Sequence, residues 1–400
     1  MPDPAPLVVF SDDWGRHPSS CQHLVAQLLP TRPVVWVNTI GTRPPRLDRA
    51  TLLRAVEKFK QWGRAEPEPR PEPSSAPSPR VLNPRMWPSF RTRFARALNR
   101  RLLGRALRAA VADLPAPPVV VTTLPITADL VGAFPAARWV YYCVDDFGVW
   151  PGLDGRTMRA MEADLVAKVD AVVAVSETLQ EHLTKLGRSS HLLTHGVDLA
   201  HFRQPAPAAQ PDSLRGLDGV TGPLVVFWGV IDRRMDVEFV RTLAGSLEAG
   251  TVLLVGPWDA PDPALQMIPR VKVLPPVPYA DLPALAARAA VLVMPYADLP
   301  VTRAMQPLKL KEYLATGRPV VVRDLPATRP WAGCLDVAST PAAFAAAVRE
   351  RLADGVPAGQ AAARTRLEEE GWAAKAARFA GWLDGNATSG ASPGTRTPPG

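Results

Sequence analysis

The chain has 400 residues, of which 47% are hydrophobic and 21% charged. That composition excludes wholesale disorder, and the length exceeds one ordinary core, so two domains are expected. No apolar run approaches the ~18–20 residues of a membrane span. The first residues, MPDPAPLVVFSDDWG, lack a basic leader and an apolar h-region, and the scattered Cys21, Cys143 and Cys334 suit neither a disulfide framework nor a zinc spacing. A cytoplasmic chain is expected. The net charge of +8 and the 45 prolines read either as nucleotide bias in the gene or as a basic surface that meets anions.

In chain order, short β-branched runs alternate with Ala/Leu/Arg-rich segments, the pattern of βα units on a parallel sheet. Strands are predicted at 7–11, 34–38, 119–123, 139–144, 171–175 and 191–194, then at 224–228, 251–255, 271–274, 291–295 and 319–322. They are continuously apolar, as strands covered on both faces should be. The proline-dense 65–80 reads as a loop, 203–213 as a hinge and 385–400 as a disordered tail. These divisions predict two Rossmann-like domains, 1–203 and 214–371. A short amphipathic helix is predicted at 372–383.

The segment 90–114 predicts a helix with Arg93, Arg96, Arg100, Arg101, Arg105 and Arg108 on one half of its wheel. Leu98, Leu102, Leu103 and Ala106 share the other half, with Leu107 at the border. The leucines should face the sheet and the arginines an anionic membrane surface, at ~1 kcal/mol per charge near the headgroups.

The stretch 305–322 (MQPLKLKEYLATGRPVVV) carries the clearest chemistry. Pro307 fits the first helical turn and Gly317 the left-handed stop. The helix start lies beyond the carboxyl end of a strand, where open α/β sheets bind ligands, and its free amides favour an anion. Lys309 adds a charge, and Glu312 can turn into the same cleft to take two ribose hydroxyls.

Four segments in order, 227–232 (FWGVID), 253–257 (LLVGP), 294–296 (MPY) and 307–320 (PLKLKEYLATGRPV), resemble the donor half of family-4-type retaining glycosyltransferases of the GT-B fold. The N-terminal half agrees through 141–146 (YYCVDD), 175–177 (VSE) and 195–198 (HGVD) followed by Phe202. The pattern is most similar to the teichuronic-acid-type branch, which acts in cell-surface polysaccharide assembly. The resemblance implies two Rossmann-like domains facing each other across a cleft, the first completed by 372–384. It implies transfer of a sugar from a nucleotide-diphosphate sugar to a polysaccharide, glycolipid or other glycan acceptor, with retention and without a metal. No cofactor beyond the donor is expected.

The implied donor residues are Glu312, Arg233, Gly229, Leu308 and Gly256, with Asp145, Lys309 and Arg234 nearest the chemistry. Asp145 stands where many relatives have a histidine, and Asp13, Gly15 and Arg16 follow the first strand where the acceptor loop lies. His17, His23 and His195 are lesser candidates for a general base. Three departures are plain. The carboxylate expected eight positions before Glu312 is Ala304, and the glycine amide of the loop–helix junction falls on Pro307. The usual Arg and Lys fall on Val230 and Met235, with Arg233 and Arg234 beside them. The adjacent acids Asp12-Asp13 and Asp145-Asp146 do not suit chelation, because neighbours on a strand point to opposite faces. Ala304 motivates one alternative, a GT-B protein that binds nucleotide sugar or glycan without transfer; a nucleotide-sugar epimerase is another. Peripheral attachment at the inner membrane face is expected, and nucleic-acid binding is not.

Overall fold

The computed structural model describes residues 4–15, 19–38, 77–150, 152–205 and 210–385. Among these residues thirteen strands form two parallel sheets. The first contains β1 (Leu7–Ser11), β2 (Val34–Asn38), β3 (Arg80–Leu82), β4 (Val119–Thr122), β5 (Arg138–Cys143), β6 (Ala171–Ala174) and β7 (His191–Leu192). Their order is β3-β2-β1-β4-β5-β6-β7. The second contains β8 (Leu224–Trp228), β9 (Thr251–Val255), β10 (Val271–Leu274), β11 (Val291–Met294), β12 (Val320–Arg323) and β13 (Asp336–Ala338), ordered β10-β9-β8-β11-β12-β13. Each sheet reverses its winding beside its first strand, at β1/β4 and β8/β11, so the connections diverge there and open a crevice at the strands' carboxyl ends.

The valine-rich strands are covered on both faces by helices, which is why they lack polar alternation. Helices begin where short polar side chains accept backbone N–H groups: Ser19 from Gln22, Thr92 from Ala95, Ser176 from Leu179 and Asp236 from Glu238 and Phe239. Gly317, at φ +75°, follows the Leu308–Ala315 helix and turns the chain into β12.

Two edge strands, β3 and β13, depart from the expectation. Each is three residues long and too polar to read as an apolar run, and each forms by pairing with an exposed edge, β2 or β12. Arg80, expected to end a loop, starts β3; the rest of that loop through 76 lies outside the described residues, as do 206–209 of the expected hinge and 386–400 of the expected tail.

The predicted arginine helix spans Arg93–Val111, but its buried stripe is Ala95, Asn99, Leu103, Leu107 and Ala110. Leu102 is exposed and Leu107, expected at the border, is fully buried. Arg96 turns inward, where its guanidinium donates to both oxygens of Asp129 at 2.7 Å and to Asp164 at 3.2 Å. Two carboxylates on neighbouring elements outweigh its position on the helical wheel.

Each sheet has its own hydrophobic core. The Trp372–Leu383 helix packs against the Ser20–Leu28 helix, and its Trp372, Phe379 and Leu383 enter the first core. Beyond its end, Asp384 receives two 3.0 Å bonds from the buried Arg32. Ala304, although from the second half of the chain, also joins the first core. Lys311 is 1% exposed and ties the halves together. Its ammonium donates to the Thr194 hydroxyl, the His195 carbonyl and Glu370, and Lys375 donates to the same threonine and pairs with the same glutamate.

Candidate functional site

The second crevice begins where β8 ends. Gly229 follows Trp228 with φ +140°, and its N–H donates to the Val255 carbonyl at 2.9 Å. Gly256, at φ +146°, follows β9, and a Cβ there would lie 2.0 Å from the Gly229 carbonyl oxygen. Only two glycines allow the chains this approach and these backbone angles.

The space over Gly229 belongs to Lys309, in the first turn of the Leu308–Ala315 helix. A Cβ on Gly229 would meet Lys309 Nζ at 2.3 Å. The ammonium donates to the Tyr296 hydroxyl at 2.5 Å and lies 5.1 Å from the centre of the Phe227 ring. Pro307 is the N-cap of this helix rather than part of its first turn, and no side chain caps it. The helix therefore presents amides and its positive dipole end beside a lysine, a composite anion site. Leu308, expected among the donor residues, packs its side chain against the first core.

One turn on, Glu312 accepts from Trp228 Nε1 at 3.4 Å. Burial pushes its carboxyl up to about 7, against the indole bond and the Lys309 charge. The backbone beneath is locked by Tyr313, whose hydroxyl accepts from Trp228 N–H at 2.9 Å. Phe202 stacks on Trp228 at 6.4 Å, and His201 stacks on Tyr279 at 4.4 Å, giving this end of the crevice aromatic walls.

Arg234 is engaged by a neighbouring acid. Its guanidinium grips both oxygens of Asp232, with Nε 3.0 Å from each, and its side chain is 11% exposed. It lies 5.1 Å from the centre of the Trp150 ring, which belongs to the first half, and 5.8 Å from that of Tyr296. Arg233 is exposed. The spacing that placed two arginines after β8 could not show that Asp232 would claim one of them.

Across the crevice, Asp145 follows β5 and is half-buried. Burial, against the opposing charge of Arg234 and with a smaller push from Asp146, raises its carboxyl to about 7. Asp146 instead accepts the Gly148 N–H at 2.9 Å. Beneath it, Glu162 accepts the Tyr141 hydroxyl and meets His182 Nε2, both at 2.7 Å.

In the loop after β1, Gly15 has φ +77° and donates to Gln22 Oε1 at 3.0 Å, while Gln22 also donates to the Asp13 carbonyl. Arg16 and His17 lie outside the described residues. Burial lowers His23 to about 4 and His195 to about 3, so both imidazoles are neutral at neutral pH. His23 stacks on Trp372 at 4.7 Å.

The Ala304 position is occupied structurally. Its carbonyl accepts the Ser176 hydroxyl at 2.7 Å, joining the loop after β6 to the end of the Pro300–Ala304 helix. Tyr296, Trp228, Trp150 and Ser176 were absent from the expected site. Tyr296 and Ser176 stand inside the segments MPY and VSE, but the signal there is family likeness and not chemistry. Trp150 has no such signal. Among the described residues, no helix is long and apolar enough to cross a membrane.

Residues 222–354 match a family model described as glycosyl transferases group 1. Over 181 residues the chain is 28% identical to the putative teichuronic acid biosynthesis glycosyltransferase TuaH of Bacillus subtilis (strain 168), covering 43% of this chain and 45% of that relative. The match thus spans less than half the length of the relative. The structure is similar to sucrose-phosphate synthase from Thermosynechococcus elongatus, with TM-score 0.69 at 18% identity over 96% of this chain and 98% of the other. It is similar to Anabaena HepE in complex with UDP-glucose, with TM-score 0.60 at 14% identity over 95% of each chain. A trehalose 6-phosphate synthase from Burkholderia multivorans gives TM-score 0.64 at 15% identity over 97% of this chain and 100% of that one. At these identities the likeness is one of fold. Residues 222–354 thus resemble the group 1 glycosyl transferases, the two-sheet architecture is that of the GT-B fold, and the chain is distantly similar to TuaH.

Proposed function

We propose that the protein transfers a sugar from a nucleoside-diphosphate donor, a UDP-sugar first among candidates, to a glycan or lipid-linked acceptor of the cell envelope. The observation that carries this reading is the position of Lys309 over Gly229, one turn from Glu312, at the carboxyl ends of β8 and β9. Diphosphate would lie against Lys309 and the helix amides, with Arg233 at its edge, and Glu312 would take the ribose hydroxyls. Residues 214–371 would hold the donor, and 1–203 with 372–384 the acceptor, near Asp13, Gly15 and Arg16. Departure of the nucleotide builds negative charge that a fixed cation and amides stabilise, so the reaction would proceed without a metal, and with the retention that the family resemblance implies. Asp145 would orient the transferred sugar. The complex of HepE with UDP-glucose supports the donor class, and TuaH supports the polysaccharide setting. Isothermal titration with UDP and UDP-glucose tests the reading: binding should be lost in Lys309→Ala, and equal affinity in that variant would sink it.

The Ala304 contact favours a second reading, a donor-binding protein with weak transfer. It predicts UDP-glucose binding without hydrolysis or transfer to any glycan primer.

The acceptor side would dock on anionic lipid. Phe94 is 79% exposed and Trp87 53% exposed, and the exposed Arg91, Arg93, Arg100, Arg101 and Arg105 accompany them on or near the same helix. Apolar anchors beside guanidinium groups suit an acyl–headgroup boundary. Flotation with phosphatidylglycerol liposomes should be lost in the double variant Phe94→Ser, Arg101→Glu and absent with phosphatidylcholine alone. Such attachment would be peripheral, at the cytoplasmic face.

A further inference from the structure

The loop that carries Asp145 rests on a cluster around the buried Glu162, apart from the donor-side residues described above. Three elements converge there. From β5 come Tyr141 and Cys143; from the Gly155–Lys168 helix comes Glu162; from the Glu177–Lys185 helix comes His182. Glu162 is 1% exposed. Its Oε1 accepts the Tyr141 hydroxyl at 2.7 Å and lies 3.9 Å from Cys143 Sγ, while its Oε2 meets His182 Nε2 at 2.7 Å. Asp146, Glu162 and His182 bring one donor or acceptor atom each within 4.8 Å of one another. Cys143 Sγ is also 3.9 Å from the Asp145 carbonyl, and Arg159 donates to the Gly148 carbonyl at 2.6 Å.

We propose that His182 is the positioning residue of this loop: hydrogen-bonded to the buried Glu162 and within 4.8 Å of Asp146, it offsets the two carboxylates and thereby holds Asp145 toward the crevice. The proposal rests on the reading of Asp145 given above. Two carboxylates close together in a poorly solvated site need a countercharge, and among the described residues His182 is the one cationic side chain in contact with the buried member. A neutral ring would leave Asp146 and Glu162 without a cation between them, and repulsion would loosen the turn at 145–148. The groups facing His182 are Glu162, Asp146 and, on its own helix, Lys185. The Glu162 bond and the charges of Glu162 and Asp146 raise its titration above the ordinary histidine range, against burial and Lys185. The charged form therefore persists to higher pH than in an ordinary histidine and is lost as pH rises through that raised value.

Hydrogen–deuterium exchange on the full chain, corrected for intrinsic rates, tests this with His182→Gln and Glu162→Gln. In His182→Gln, peptides covering 144–150 should exchange about tenfold faster while those covering 224–228 are unchanged. The wild type should show the same local loosening when pH passes the His182 titration, and His182→Gln should show no such step. UDP affinity should be unchanged in the variant while turnover of UDP-glucose falls. Unchanged exchange at 144–150 overturns the proposal, as does a uniform loss of protection across the first sheet. So does stabilisation of the wild type, but not His182→Gln, by Zn²⁺ or Mn²⁺, because the cluster would then hold a cation and not a proton. Local loosening with undiminished turnover of UDP-glucose leaves the pin in place and defeats the role given to Asp145.

Discussion

Lys309 Nζ fills the space where a Cβ of Gly229 would stand, at 2.3 Å. The glycine and the lysine come from different βα units, so the anion site exists only when both units pack. Gly229→Ala should displace the ammonium and strain a backbone at φ +140°, costing about 1–3 kcal/mol of stability. UDP binding by calorimetry should weaken at least about tenfold, or 1.4 kcal/mol. An alanine variant that binds UDP like the wild type would separate Lys309 from the diphosphate.

The acids of the crevice make stability depend on pH with a definite sign. Glu312 and Asp145 both titrate near 7 in the folded protein because burial favours their neutral forms. Between the ordinary carboxylate range and about 7, the folded state binds more protons than the unfolded one. Their contribution is therefore fully present below that range and is lost as pH rises to about 7. Thermal melts of Glu312→Gln should show a shallower decline from pH 5 to 7.5 than the wild type, with UDP binding reduced. An identical decline would remove Glu312 from the account.

Lys311 should be worth more to stability than an ordinary surface lysine. Its ammonium is held by Thr194, His195 and Glu370, and burial lowers it to about 8. Lys311→Ala should cost roughly 3–5 kcal/mol, the range for breaking a buried pair. Lys311→Met should cost less, because it fills the volume and Glu370 keeps Lys375. Urea unfolding measures both, and equal losses would show that the lost ammonium, and not the lost volume, sets the cost.

Restoring the missing carboxylate should not restore the family pattern. Ala304 is buried in the first core and its carbonyl holds the Ser176 hydroxyl. Ala304→Glu would place a charge among apolar neighbours, so the melting temperature should fall and turnover of UDP-glucose should not rise. Faster turnover would mean that the contact opens during the reaction.

The alternation of apolar runs was enough to place eleven strands, because parallel strands covered on both faces must be apolar throughout. It missed β3 and β13, whose stability comes from neighbouring edges and leaves little trace in three residues. Within the site, the glycines and the helix carrying Lys309 and Glu312 were legible because backbone angles, helix signals and family likeness act over short stretches. The pairing of Arg234 with a neighbouring acid, and of Arg96 with two distant ones, was not legible in the sequence.

The sequence by itself determined the two-sheet architecture and the residue types of an anion-binding crevice, through local patterns of burial, turns and helix starts. Net charge pointed only to some anionic partner. Tertiary structure decided which cations remain available to that partner: Lys309 faces the crevice, Arg234 is paired, Arg96 is turned inward and Lys311 is buried between the halves. The reason is physical. A charge is committed by the nearest countercharge and by its distance from water, and both are set by elements far apart in the chain.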